Sequence, residues 1–128
     1  MLSRFARTGV PLDAPAGDLP LAAQQRAVLA RAVARDPRIL ILHEITAALD
    51  FADRESVLAC MRERAAAGCL ILSITHRMDE VMALSDDITV LRGGQVVRAG
   101  PRGSATAADL LRAMAPQRAA QLAGSHHA

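Results

Sequence analysis

Two short aliphatic runs, RILIL (38–42) and CLILSI (69–74), constrain this chain more than any other feature of it. Neither alternates apolar with polar residues, which suits strands of a parallel sheet covered on both faces. Between them, residues 53–66 follow a helical period. Val57, Leu58, Met61 and Ala65 share one stripe, and Arg54, Glu55, Arg62 and Glu63 lie outside it. Strand, helix, strand in this order is a βαβ unit, which needs a parallel sheet and a right-handed crossover. Two strands make a thin sheet, so they read as part of a larger one. The fold class is α/β.

The flanking sequence agrees. A helix is expected from Leu21 to about Arg35, with Val28, Leu29, Ala32 and Val33 on one face and Arg26, Arg31 and Arg35 reaching solvent. Asp36-Pro37 ends it, because a residue before proline avoids the helical region. Asp50 or Asp53 is placed to cap the second helix, and Gly68 stands just past its end. Met78–Leu84 reads as a short helix. DITVL and QVVRA flank Gly93-Gly94 and read as a β-hairpin. Thr106, with Asp109 three residues on, opens a last helix over ADLLRAMA that Pro116 ends. Residues 1–18 contain a short basic helix candidate and then a stretch broken by Pro and Gly. The expected organisation is one domain over residues 1–115 and a flexible tail over 116–128.

Composition excludes several classes. With 52% hydrophobic residues and a mean hydropathy of +0.20, the chain is not a disordered type. The 15 basic and 13 acidic residues are interspersed, and Trp and Tyr are absent. Neither a basic stripe nor a base-stacking platform marks a nucleic-acid binder. Cys60 and Cys69 lack metal-ligand spacing and are expected as buried, reduced thiols. No apolar run approaches the roughly 20 residues needed to span a bilayer. The N-terminus has no long hydrophobic stretch of the signal-peptide kind, so a cytoplasmic location is expected.

The polar residues at the strand exits carry the chemistry. The first run delivers His43 and Glu44 to its carboxyl end, where ligands bind in open α/β sheets. The second delivers His76 in ITHR (74–77). AALD (47–50) lies between, and LPLAAQQ (19–25) precedes the first helix. Taken bare, His76 reads as a strand-end histidine with a local hydrogen bond, and Asp50 as a helix cap. His43, Glu44 and His76 together would also make a His/His/Glu zinc set.

In this order and spacing, residues from Asp18 to about Gly100, and on to Met114, resemble the ABC-transporter ATP-binding domain. The segments GVPLDAPAGDLPLAAQQ (9–25) and ITHRMDEVMALSDDITVLRGGQVV (74–97) are similar to ATPases of monosaccharide importers. The resemblance implies part of a P-loop NTPase core, with ATP and Mg²⁺ as cofactors. ILILHE becomes the Walker B strand, Glu44 the water-polarising carboxylate and His76 the switch histidine at the γ-phosphate. Asp50 becomes the acidic end of the D-loop. Leu19, Pro20, Leu21, Ala22, Ala23 and Gln24 occupy the signature position, which holds a partner subunit's phosphate.

The departures are specific. His43 stands where the family has a Mg²⁺-holding aspartate, and imidazole is a poor ligand for a hard cation. Ile45 replaces the proline after the glutamate. Pro20 replaces the signature serine and offers neither hydroxyl nor amide hydrogen. Ala23 replaces the signature glutamine. No G-x-x-x-x-G-K-[S/T] loop occurs, and the chain contains no lysine at all. The resemblance therefore implies the C-terminal half of such a domain: a truncated or degenerate ATP-binding subunit of an importer, for sugars. Its implied partners are a second ATP-binding subunit and a membrane permease, at the inner face of the plasma membrane. The alternative is a non-catalytic interaction module derived from an ABC ATPase.

Overall fold

The computed structural model of the chain describes residues 13–115. They fall into two compact units that divide between His76 and Arg77, inside the stretch expected as one domain. The helix candidate near the N-terminus and the tail over 116–128 lie outside the described residues.

The first unit runs from a 3₁₀ turn (Ala16–Asp18) into α1 (Leu21–Ala34), β1 (Ile39–His43), α2 (Phe51–Ala66) and β2 (Leu70–Ile74). β1 and β2 pair in parallel, from Ile39 opposite Leu70 to His43 opposite Ile74. Local chemistry sets the ends of each helix. Asp50 caps α2 by accepting from the Asp53 amide at 2.8 Å. Gly68, at φ 92°, turns the chain out of α2 into β2. α1 ends before Pro37 as expected. Asp36 leaves the right-handed helical region by taking φ 49°, not by extending, and its carboxylate pairs with Arg64.

The core of this unit comes from Leu29 and Val33 of α1, Leu40 and Leu42 of β1, and Val57, Leu58, Cys60 and Met61 of α2, with Cys69. Both thiols are free and buried, and burial raises the Cys60 pKa. Three expectations are corrected. Val28 and Ala65 face solvent. Arg26 does not extend into water: it is mostly buried and ion-paired with Asp53 across α1 and α2. The strands are covered on one face, not both, because Ile39, Ile41, Leu70, Leu72 and Ile74 remain exposed. An unbroken aliphatic run records what a strand can bury, and a two-stranded sheet has covered only part of it.

The second unit comprises α3 (Met78–Leu84), β3 (Asp87–Arg92), β4 (Gln95–Pro101), a 3₁₀ turn (Arg102–Ser104) and α4 (Ala107–Met114). β3 and β4 form the expected antiparallel hairpin, with a register shift between Val90 and Leu91. Gly93 and Gly94, at φ 56° and 77°, supply the left-handed pair that a tight hairpin turn requires. Val90 and Leu110 are buried here, as is Glu80, whose carboxylate lies 3.1 Å from Arg77 Nε. α4 opens with a full capping box: the Asp109 amide donates to Thr106 Oγ1 at 3.2 Å, and the Thr106 amide donates to Asp109 Oδ2 at 2.9 Å. The Thr106 backbone and hydroxyl hydrogen bonds hold the Asp109 carboxyl below its usual range.

Candidate functional site

β1 and β2 end side by side at His43 and Ile74, and the chain leaves each strand through a polar residue. Glu44 is the first residue past β1. Its amide donates to the Ile74 carbonyl at 2.9 Å, which adds one rung to the parallel ladder. To do so it adopts φ 50°. A left-handed conformation costs a non-glycine residue about 1–2 kcal/mol. Such strain persists only where the surroundings enforce it, and it gathers at functional positions. The following residues, Ile45 to Leu49, form a turn in which Thr46 is buried, and Asp50 then caps α2.

His76 lies two residues past β2. Its Nδ1 sits 2.9 Å from Glu44 Oε1. A carboxylate oxygen accepts hydrogen bonds, so Nδ1 carries the proton and is the donor. The other carboxylate oxygen, Oε2, is buried and has no hydrogen-bond partner among the described residues. A buried acceptor left in this state is costly unless a water or ligand completes it. The pair is thus a carboxylate oriented by an imidazole, with one oxygen held and one ready to accept. Strain at this position has a direct test. Glu44→Gly and Glu44→Ala both remove the carboxylate, but only glycine is at ease at this φ. In thermal unfolding the glycine variant is expected to be more stable than the alanine variant by about 1 kcal/mol.

The sequence-derived residues fall into three sets. Glu44 and His76 meet. Leu19 to Gln24 and Asp50 instead line two helix N-termini, which the Arg26–Asp53 pair ties together. Pro20 is the N-cap of α1 and gives no side-chain cap. The amides of Leu21, Ala22 and Ala23 are first-turn donors with no acceptor within the helix. Gln24 donates its side-chain amide to the Leu19 carbonyl at 2.8 Å, so it braces its own loop. His43 is exposed at the end of β1. Among the described residues no three His, Cys, Asp or Glu side chains gather as a metal-binding group, and His43, Glu44 and His76 do not form one. The Arg26–Asp53 tie could not be read from the sequence, since an arginine at a helical position looks the same in solvent or in a pair. The strain at Glu44 has no sequence signal beyond the missing glycine.

The dimeric ATP-binding cassette MJ0796, solved in a post-hydrolysis state bound to ADP and Pi, matches this fold with a TM-score of 0.68. The identity is 23%, over 79% of this chain and 44% of that one. The fold is that of the ABC ATP-binding cassette. In sequence, the ribose import ATP-binding protein RbsA 2 of Burkholderia ambifaria is 43% identical over 116 residues, 89% of this chain and 23% of the relative. The ribose import ATP-binding protein RbsA 1 of Rhizobium etli is 43% identical over 89 residues, 70% of this chain and 17% of the relative. The chain belongs to the ABC-transporter ATP-binding family, alongside the ATP-binding proteins of sugar importers. It spans about a fifth of the length of these curated relatives. No family model matches it.

Proposed function

We propose that the chain provides the carboxylate-and-histidine part of the nucleotide site in an ABC importer for a monosaccharide, in truncated or degenerate form. The observation that carries this reading is the 2.9 Å contact of His76 Nδ1 with Glu44 Oε1 at the outlets of two parallel strands. The named relatives act in ribose import, which supports the sugar class.

ATP, when bound in a complete site, supplies the phosphoanhydride whose hydrolysis drives transport. This chain's residues do the rest of what is proposed here. Glu44 Oε2 accepts a hydrogen from the attacking water, and His76 holds the carboxylate in place and faces the terminal phosphate. The first-turn amides of α1 make a weak anion site for a partner subunit's phosphate, to which Pro20 adds nothing. Asp50 ends the loop that meets that second ATP-binding subunit. A membrane permease completes the assembly, with this chain peripheral on the cytoplasmic face of the plasma membrane. Among the described residues no helix is long and apolar enough to cross a membrane.

The residues present fit the terminal-phosphate end of ATP and do not fit Mg²⁺. His43 offers nitrogen where a hard cation requires oxygen. No step is therefore assigned to the metal. The same mismatch, with Pro20 at the signature position, favours the second reading: a non-catalytic module of ABC ATPase origin. Both readings share one consequence. Without a lysine or a glycine-rich loop, the 128-residue chain cannot grip a triphosphate. Isothermal titration with ATP, with and without Mg²⁺, is expected to give no binding heat. Micromolar affinity contradicts both readings.

A further inference from the structure

α1 and α2 are tied to each other at both ends. Near their starts, Arg26 of α1 pairs with Asp53 in the first turn of α2. Near their ends, Arg64 in the last turn of α2 pairs with Asp36, the second residue past α1. The helices therefore run in the same direction and start at the same end of the unit. That end is the outlet of β1, since only the turn from Ile45 to Asp50 separates Glu44 from α2. The first turn of α1 thus comes to the end that carries Glu44 and His76. The two ties differ in burial. In the Arg26–Asp53 pair the side chains are only 13% and 14% exposed, whereas Asp36 keeps 82%. An exposed pair contributes little, but taking one partner from a buried pair leaves a charge that its surroundings no longer offset.

The buried pair also reaches both loops. Helical side chains lean toward the N-terminus, so Arg26 in the second turn of α1 leans over the first. On the other side, the Asp53 amide donates to Asp50 Oδ1 at 2.8 Å. A continuous chain of contacts joins the first turn of α1 to the Asp50 turn. We infer that Arg26 and Asp53 are positioning residues. Their pair sets the Leu21–Ala23 amides against the Asp50 turn, and so fixes where a phosphate on those amides lies relative to the loop that meets the second subunit. This inference rests on the reading of that turn as the partner's phosphate site. In this role neither side chain needs to touch the phosphate. The pair holds two backbone segments in register, so its loss weakens binding more than it slows the chemical step.

¹H–¹⁵N NMR spectra of the full 128-residue chain test the placement without any nucleotide. Asp53→Asn keeps the size of the side chain and removes its charge. It is expected to shift the amide signals of Leu21, Ala22 and Ala23, while Asp53→Glu leaves them close to wild type. Asp36→Asn breaks the exposed tie and is expected to leave them unmoved. First-turn signals indifferent to Asp53→Asn, or moved as far by Asp36→Asn, overturn the inference. The consequence for the site is read in a chimaera in which residues 18–114 replace the matching stretch of the Burkholderia ambifaria relative. There Asp53→Asn is expected to raise the KM for ATP by at least about fivefold, with kcat changed less than about twofold, and Asp53→Glu to restore KM. An unchanged KM, or a loss confined to kcat, overturns the positioning role. Glu44→Gln in the same chimaera separates the two failures. Hydrolysis indifferent to Glu44→Gln overturns the reading of the site, and the NMR shifts still judge the pair.

Discussion

Glu44→Gln is expected to lower ATP hydrolysis by at least about 100-fold when residues 18–114 replace the matching stretch of the Burkholderia ambifaria relative. The chimaera keeps the relative's own sequence on either side of this stretch, whereas this chain has no lysine and no G-x-x-x-x-G-K-[S/T] loop. The amide of glutamine keeps the size of the carboxylate but cannot take a proton from water. It can still meet His76, so the local structure is retained. In the same chimaera, His43→Asp is expected to raise the rate, because a carboxylate oxygen suits Mg²⁺ and an imidazole does not. Phosphate release reads both effects. A chimaera that hydrolyses ATP equally well with Glu44→Gln contradicts the assignment of Glu44, whatever its absolute rate.

Leu29→Ala is expected to remove about 3 kcal/mol of stability in urea unfolding. Leu29 is 1% exposed and is among the largest fully buried side chains of the described residues. Alanine would leave a cavity between α1 and its surroundings that close packing cannot fill without moving backbone. A loss of this size is a large share of the 5–15 kcal/mol typical of a whole domain. Val28→Ala, one residue earlier, is the control. Val28 is exposed and its truncation is expected to cost no more than about 0.5 kcal/mol. Equal losses at the two positions contradict the packing described for α1.

That contrast also marks how far the sequence could be read. Val28 and Leu29 share a helical face on a wheel, and the wheel cannot say how wide the buried stripe is. The Thr106–Asp109 box and the Gly93-Gly94 turn were legible, and the α2 cap was narrowed to Asp50 or Asp53, because each is a bargain struck within a few residues. The pairing of β1 with β2 was legible too, since two aliphatic runs around an amphipathic helix have few other arrangements. What stayed hidden depends on distant groups. The Arg26–Asp53 pair joins residues 27 apart in sequence, and the bare side of β1–β2 depends on how many layers the sheet is given. The left-handed Glu44 is hidden in another way: it is a residue held in a conformation its own chemistry disfavours. The candidate site was legible as types in order. Its geometry, with one carboxylate oxygen held by His76 and the other unpartnered, was not.

Long-range ¹H–¹⁵N NMR correlation of the His76 ring in the intact chain tests the contact between Glu44 and His76 most directly. The geometry requires a proton on Nδ1, held toward Glu44 Oε1, and requires Glu44→Ala to shift the Nδ1 signal. A ring protonated on Nε2 alone, or an Nδ1 signal unmoved by Glu44→Ala, would mean that the two strand outlets do not bring these side chains together.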